Sequence, residues 1–172
     1  MIPLSTAAAT ATSGTLTWTK ISCNRHYELR QNGAVVGTLT RPSIWSQKFV
    51  AETPEGRWTF RRSGFWRNDA EIVDASGHVI ASGKLGYGRG TLTFADSQSF
   101  QLTHKGWWRP VWTLATNGGR PLLYIHVREK TVDLAGPVPD DRLSLLTLFA
   151  WYRILQAEED AAGAAVMVAV GT

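Results

Sequence analysis

Along most of this chain apolar and polar residues change places at every second position, in short runs separated by turn-forming residues. In "GRWTFRR" (56–62) the alternation sets Trp58 and Phe60 on one face and Arg57, Thr59 and Arg61 on the other, because successive strand side chains point to opposite sides. "SFQLTH" (99–104) opposes Phe100 and Leu102 to Gln101 and Thr103 in the same way. Between such runs lie Asn32-Gly33, Ser76-Gly77 and Asn117-Gly118-Gly119, residues that tolerate the positive φ of tight hairpin turns, the first as type I′. They form a weak internal repeat at about 45-residue spacing: strand, small polar turn, strand. Filling the gaps predicts about twelve short strands with turns every 8 to 12 residues, and hence an antiparallel sandwich or barrel.

One stretch breaks this pattern. "DDRLSLLTLFAWYRILQ" (140–156) has helical spacing, with Asp140 or Asp141 as cap after Pro137 and Pro139. At 100° per residue Leu143, Leu146, Ala150 and Ile154 take one side, and Leu145, Leu148, Tyr152 and Leu155 the opposite side. A helix apolar all round is enclosed by protein or by lipid. A bilayer asks for about 20 apolar residues, whereas Arg153, Gln156 and Glu158-Glu159-Asp160 interrupt this run, so no transmembrane segment is predicted. The expectation is therefore a mainly β fold: a closed antiparallel barrel of about twelve strands enclosing a hydrophobic C-terminal helix over 140–158. An open lipocalin-like barrel with the helix packed outside is the rival, and it calls for an amphipathic helix.

With "YELRQNGAVVGTL", "AEIVDASGHVIASGKL" and the terminal "DRLSLLTLFAWYRILQ", the chain resembles the tubby-like, phospholipid-scramblase and LURP-one-related superfamily over residues 15–158. The resemblance implies a twelve-stranded barrel wrapped around a hydrophobic helix. Two departures limit what it carries: there is no cysteine cluster for acylation and no acidic calcium loop, so lipid-binding residues do not transfer position by position.

Composition narrows the picture further. At 172 residues the chain suits one domain, and a 44% apolar content with eight tryptophans suits a bulky core. The expected organisation is a leader over 1–13, a barrel domain over 14–158, and an Ala-rich tail over 159–172, read as a second short helix on the barrel or an oligomer contact. A lone Cys23 excludes an internal disulfide, and the N-terminus lacks a secretory pattern, so a cytoplasmic protein, peripheral at the membrane, is expected. The net charge of +4 is uneven: residues 1–130 hold 16 Lys and Arg against 8 Asp and Glu, and residues 131–172 hold 2 against 6.

Candidate chemistry is sparse. Gly86, Gly88 and Gly90 precede a strand rather than a helix, which reads as a bulged hairpin and not a phosphate loop. His26, His78, His104 and His126 lack metal-ligand spacing, Ser63 and Ser76 read as turn residues, and neither metal nor cofactor is implied. The distinctive chemistry is "RWTFRRSGFWRN" with "HKGWWRPVW", which interleave Arg57, Arg61, Arg62, Arg67, Lys105 and Arg109 with Trp58, Phe65, Trp66, Trp107 and Trp108. Such mixtures suit an anionic phospholipid surface, with tryptophan at headgroup depth and basic residues against the charge. Single-stranded nucleic acid is a weaker fit. The function expected is a non-enzymatic binding or scaffold domain of the tubby-like class. The alternative is a hydrolase or small-ligand-binding enzyme with a pocket at a barrel mouth, which would need convergent titratable groups there.

Overall fold

The structure, a computed structural model, describes residues 16–22, 25–43, 45–63, 69–86, 88–106, 108, 110–136 and 142–170, with side chains to 162. Twelve strands follow in order: β1 (Leu16–Ser22), β2 (His26–Gln31), β3 (Ala34–Thr40), β4 (Phe49–Thr53), β5 (Gly56–Ser63), β6 (Asp69–Val73), β7 (Val79–Gly86), β8 (Arg89–Phe94), β9 (Ser99–Lys105), β10 (Val111–Thr116), β11 (Pro121–His126) and β12 (Thr131–Leu134). Each pairs antiparallel with its sequence neighbours, and β1 pairs with β12, so the sheet closes as a barrel without free edges. One helix, α1 (Leu143–Val170), follows the strands.

The helix is the axle of this barrel. All fourteen residues from Leu143 to Gln156 are buried, as all-round apolarity requires. The inward strand residues meet it: Phe60 packs edge-on to Phe149 at 5.8 Å and tilted to Tyr152 at 5.5 Å, Phe49 meets Tyr152 at 5.5 Å, and Trp18 stacks on Trp151 at 4.6 Å. The axle is off centre. Its backbone comes nearest to β3 and β4, where Gly37 and Ala51 leave room; a Cβ on Gly37 would lie 3.5 Å from Leu148 Cδ2.

Two expectations need correction. The Ala-rich segment over 159–170 is no separate helix, because α1 runs on through it without a break. Alanine is the best helix former and no proline interrupts, so propagation continues once the buried half has nucleated the helix. Secondly, Gly86 pairs directly with Arg89 in an unshifted register, with Gly88 at φ 67° in the two-residue turn, so this hairpin has no bulge. The capping aspartates and the glycine-flanked Phe65 and Trp66 lie outside the described residues.

Bulges occur elsewhere: one lies in β1, whose register against β2 slips at Ile21, and three follow the sequence repeat. The registers of β2–β3, β6–β7 and β10–β11 each slip once, at Val36, Ile80 and Leu122, just beyond the small polar turn. Bulges increase twist and bend a strand, which closure of a barrel needs. The turns themselves differ. Asn32 and Gly33 both have positive φ, as type I′ demands, whereas at 74–78 and 116–120 a single residue does, Gly77 at 88° and Gly119 at 81°. There the amide of Gly77 bonds the carbonyl of Asp74 at 3.1 Å, and that of Gly119 bonds Thr116 at 2.9 Å, giving a turn followed by one left-handed residue.

Candidate functional site

Antiparallel order sorts the connections onto two rims. One rim carries the short turns at 32–33, 54–55, 74–78, 95–98 and 117–120, and it is where α1 enters, with Arg142 held to Asp96 at 2.6 Å and to Gln98 at 3.1 Å. From the other rim α1 emerges, and there the β3–β4 connection is longer, over 41–48. Long loops on a rigid scaffold are where binding residues concentrate.

The emerging rim exposes tryptophan. Trp45, between β3 and β4, is 87% exposed and Trp108, between β9 and β10, is 68% exposed. Those loops are six strands apart in a ring of twelve, so the two indoles stand on opposite sides of the mouth. Around the same rim, Lys48, Arg89, Lys105 and Lys130 sit at strand ends. By contrast Trp18, Trp112 and Trp151 are core residues, and Trp58 packs half-buried against the core.

The six basic residues singled out in the sequence do not form one patch. Arg57 lies at the entry end of β5 and pairs with Glu52 at 3.2 Å, roughly 17 Å along the strand from Arg62. Arg61 faces outward and is bound to Glu71 at 2.7 Å. Arg62 faces inward near the emerging rim and holds Asp160 of the helix at 2.6 Å. Lys105 ends β9 at this rim. Arg67 and Arg109 lie outside the described residues, as do Phe65, Trp66, Trp107 and Cys23.

What the fold gathers instead is two pairs of arginines near the mouth, Arg25 with Arg41 and Arg62 with Arg153. Arg41 and Arg25 both pair with Glu159, Arg41 at 3.1 Å, and the Arg41 guanidinium also donates to the carbonyl of Ser46. Burial, and then Arg25 nearby, pulls the Arg41 pKa down. Deeper in, the hydroxyl of Tyr152 is buried without a partner among the described residues, and burial pushes it up to about 12.

Between the helix and the β7, β9 and β10 wall, opposite the strands that α1 approaches, lies a cavity of about 730 Å³. Leu85, Trp112, Val127 and Ile154 form its apolar side; Arg62, His104, Arg153, Glu158 and Asp160 form its polar side. Arg153 is 4% exposed. Its Nη2 donates to the carbonyl of Gly86 at 2.6 Å, and its guanidinium lies 5.9 Å from the Trp112 ring, against which His104 also rests at 5.0 Å. Burial lowers the Arg153 pKa and raises that of Glu158.

Arg153 was the residue that sequence reasoning passed over. It read as an interruption of the apolar run, although a lone arginine within an otherwise buried helix is itself the signal, since arginine is almost never buried without purpose. The histidines serve separately: His26 bonds Thr40 at 2.7 Å, His126 meets Asp133 at 3.1 Å, and His78 lies in the turn with Asp74. Among the described residues no three His, Cys, Asp or Glu side chains group as metal ligands. Nor, among them, is any helix long and apolar enough to cross a membrane.

No family model matches the chain, and no curated protein does. A crystal structure of an Arabidopsis thaliana protein aligns over 80% of this chain and 88% of its own, at 10% identity and a TM-score of 0.37.

Proposed function

We propose that this protein is a non-enzymatic binding domain of the tubby-like class that contacts an anionic phospholipid surface through the rim from which α1 emerges, as a peripheral protein on the cytoplasmic side. The observation that carries this reading is the placement of Trp45 and Trp108: two exposed indoles on opposite sides of one mouth can both reach a flat surface set against it. Indole is suited to headgroup depth, apolar in body and polar at its N–H. Lys48, Arg89, Lys105 and Lys130 add a positive rim with no ion-pair partner among the described residues, each worth about 1 kcal/mol near an anionic leaflet. The helix also continues for fourteen residues past Gln156, and its last ten, "AAGAAVMVAV", carry no charge.

Co-sedimentation with vesicles of phosphatidylcholine, with and without phosphatidylserine, tests this. Binding should need the anionic lipid, fall as salt rises, and be lost in the Trp45→Ser/Trp108→Ser double variant. Equal sedimentation with neutral vesicles, or a double variant that binds like the parent, overturns the reading. The cavity beside Arg153 favours a second reading, a pocket for a small ligand; as a hydrolase it would have to work with His104 and Glu158, since Arg62 already holds Asp160.

A further inference from the structure

A buried guanidinium keeps its charge at any ordinary pH, so the surroundings must supply acceptors or bear the desolvation. Around Arg153 they supply one: the carbonyl of Gly86, which takes Nη2. Nε and Nη1 are buried with no acceptor among the described residues. The nearby acids are engaged elsewhere. Asp160 is bound by Arg62 and Glu159 by Arg25 and Arg41, while Glu158 makes no bond to Arg153. Arg62, on the same cavity wall and paired with Asp160, also has its Nε buried without an acceptor among the described residues. Two guanidinium groups, each with an N–H donor that no described acceptor takes, thus line one space of about 730 Å³, a volume within the range of small-molecule pockets. An arginine kept for structure alone has its donors filled, as buried polar groups generally do.

The rest of the lining is apolar. Leu85, Trp112 and Ile154 present hydrocarbon and an aromatic face beside the two cations. A free inorganic ion would leave that surface unused, and a neutral hydrocarbon would leave the guanidinium donors unmet.

We propose that this cavity binds a small amphiphile with a single oxyanion head, carboxylate or phosphate monoester, received by Nε and Nη1 of Arg153 with Arg62 alongside, and with its apolar body against Trp112, Leu85 and Ile154. The site lies behind the rim and requires no contact between rim and membrane, so either reading stands if the other fails.

Calorimetric titration with decanoate, decyl phosphate and decanol, each below its micelle-forming concentration and without vesicles, tests the proposal. At least one of the two anions should bind about tenfold or more tightly than decanol, the scale of a charge-assisted hydrogen bond, and the tighter of the two identifies the head group. Arg153→Met keeps most of the side-chain volume and removes the charge; it should bring both anions down to the affinity of decanol and leave decanol unchanged. Anions that bind no better than decanol, or an Arg153→Met protein that keeps the preference, overturn the proposal; the latter would place the anions on surface lysines. Should Arg153→Met fail to fold, arginine Nε–Hε resonances of the unsubstituted protein serve instead. One slowly exchanging resonance should shift saturably with the preferred anion and stay still with decanol, and its indifference to both anions is the overturning result.

Discussion

The two ends of this barrel are built from opposite priorities. Where α1 enters, the strands are joined by tight turns, Asn32-Gly33 and the left-handed Gly77, Ser97 and Gly119 fix the chain, and Arg142 is tied to Asp96 and Gln98. Where α1 leaves, the β3–β4 connection runs over 41–48, two tryptophans stand in solvent, and buried Arg153, with half-buried Arg62 beside it, has N–H donors without acceptors among the described residues. The entry end ties most of its polar groups locally, with Ser144 Oγ buried without a partner among the described residues. The other leaves them unsatisfied around a cavity, a pattern in which stability is given up for binding. The same strands supply both ends, so the difference lies in how each end is finished and not in the core between them.

That division can be broken by substitution. The core is common to both ends, so Leu148→Asp, which puts an unpaired charge against β3, should cost more than about 4 kcal/mol and abolish soluble folding; soluble yield and circular dichroism report it, and a folded variant would remove the axle itself. Arg153→Met should raise the melting temperature, by a stabilisation of about 1 to 4 kcal/mol, because a buried and poorly balanced charge gives way to a packed apolar chain. A lower melting temperature would make Arg153 a structural residue and erase the contrast. At the entry end, Gly33→Ala should destabilise by about 1 kcal/mol in denaturant titration, since φ is 83° there although nothing lies within 4 Å of the new methyl.

The smallest effect separates the ends by pH. The hydrogen bond from Arg142 holds the Asp96 carboxyl below its usual range, so its stabilisation is present at neutral pH and is lost as pH falls through that lowered value. Burial raises Glu158, so its ionisation weakens the fold as pH rises through the raised value. Asp96→Asn should therefore melt lower than the parent at pH 7 and match it in strong acid. Glu158→Gln should melt higher than the parent at pH 7 and match it once the parent's carboxyl is protonated. Melting temperatures of the two variants across pH 2 to 8 would show both trends, and parallel curves would dissolve the distinction.

The architecture was legible because each element states its surroundings in local pattern. Alternation in "GRWTFRR" names one wet and one dry face, and apolarity on every side of 143–155 names a helix with protein all around it. The bulges were not legible: the glycines at 86, 88 and 90 suggested one where the register is unshifted, and the slips at Val36, Ile80 and Leu122 were not foreseen. The extent of α1 was not legible, because an alanine-rich segment is equally compatible with a new element and with continuation of an old one. The site was largely hidden. Arg57, Arg61 and Arg62 are neighbours in sequence, yet a strand sends alternate residues to opposite faces and carries the ends of such a run well apart. Arg25, Arg41 and Arg62 come from separated parts of the chain and reach the helix that carries Arg153 only because it threads the barrel and brings Glu159 and Asp160 to them. Their one local clue was a cation in the middle of a greasy helix.

Eccentricity of the helix gives this barrel a remote dial. Since the rod leans on Gly37, the empty volume on its far side is governed by the bulk of a residue that never touches whatever occupies it. A side chain larger than a methyl at that position would push the rod across the lumen, so the capacity of the chamber can be retuned through the opposite wall while every group that greets a guest stays the same.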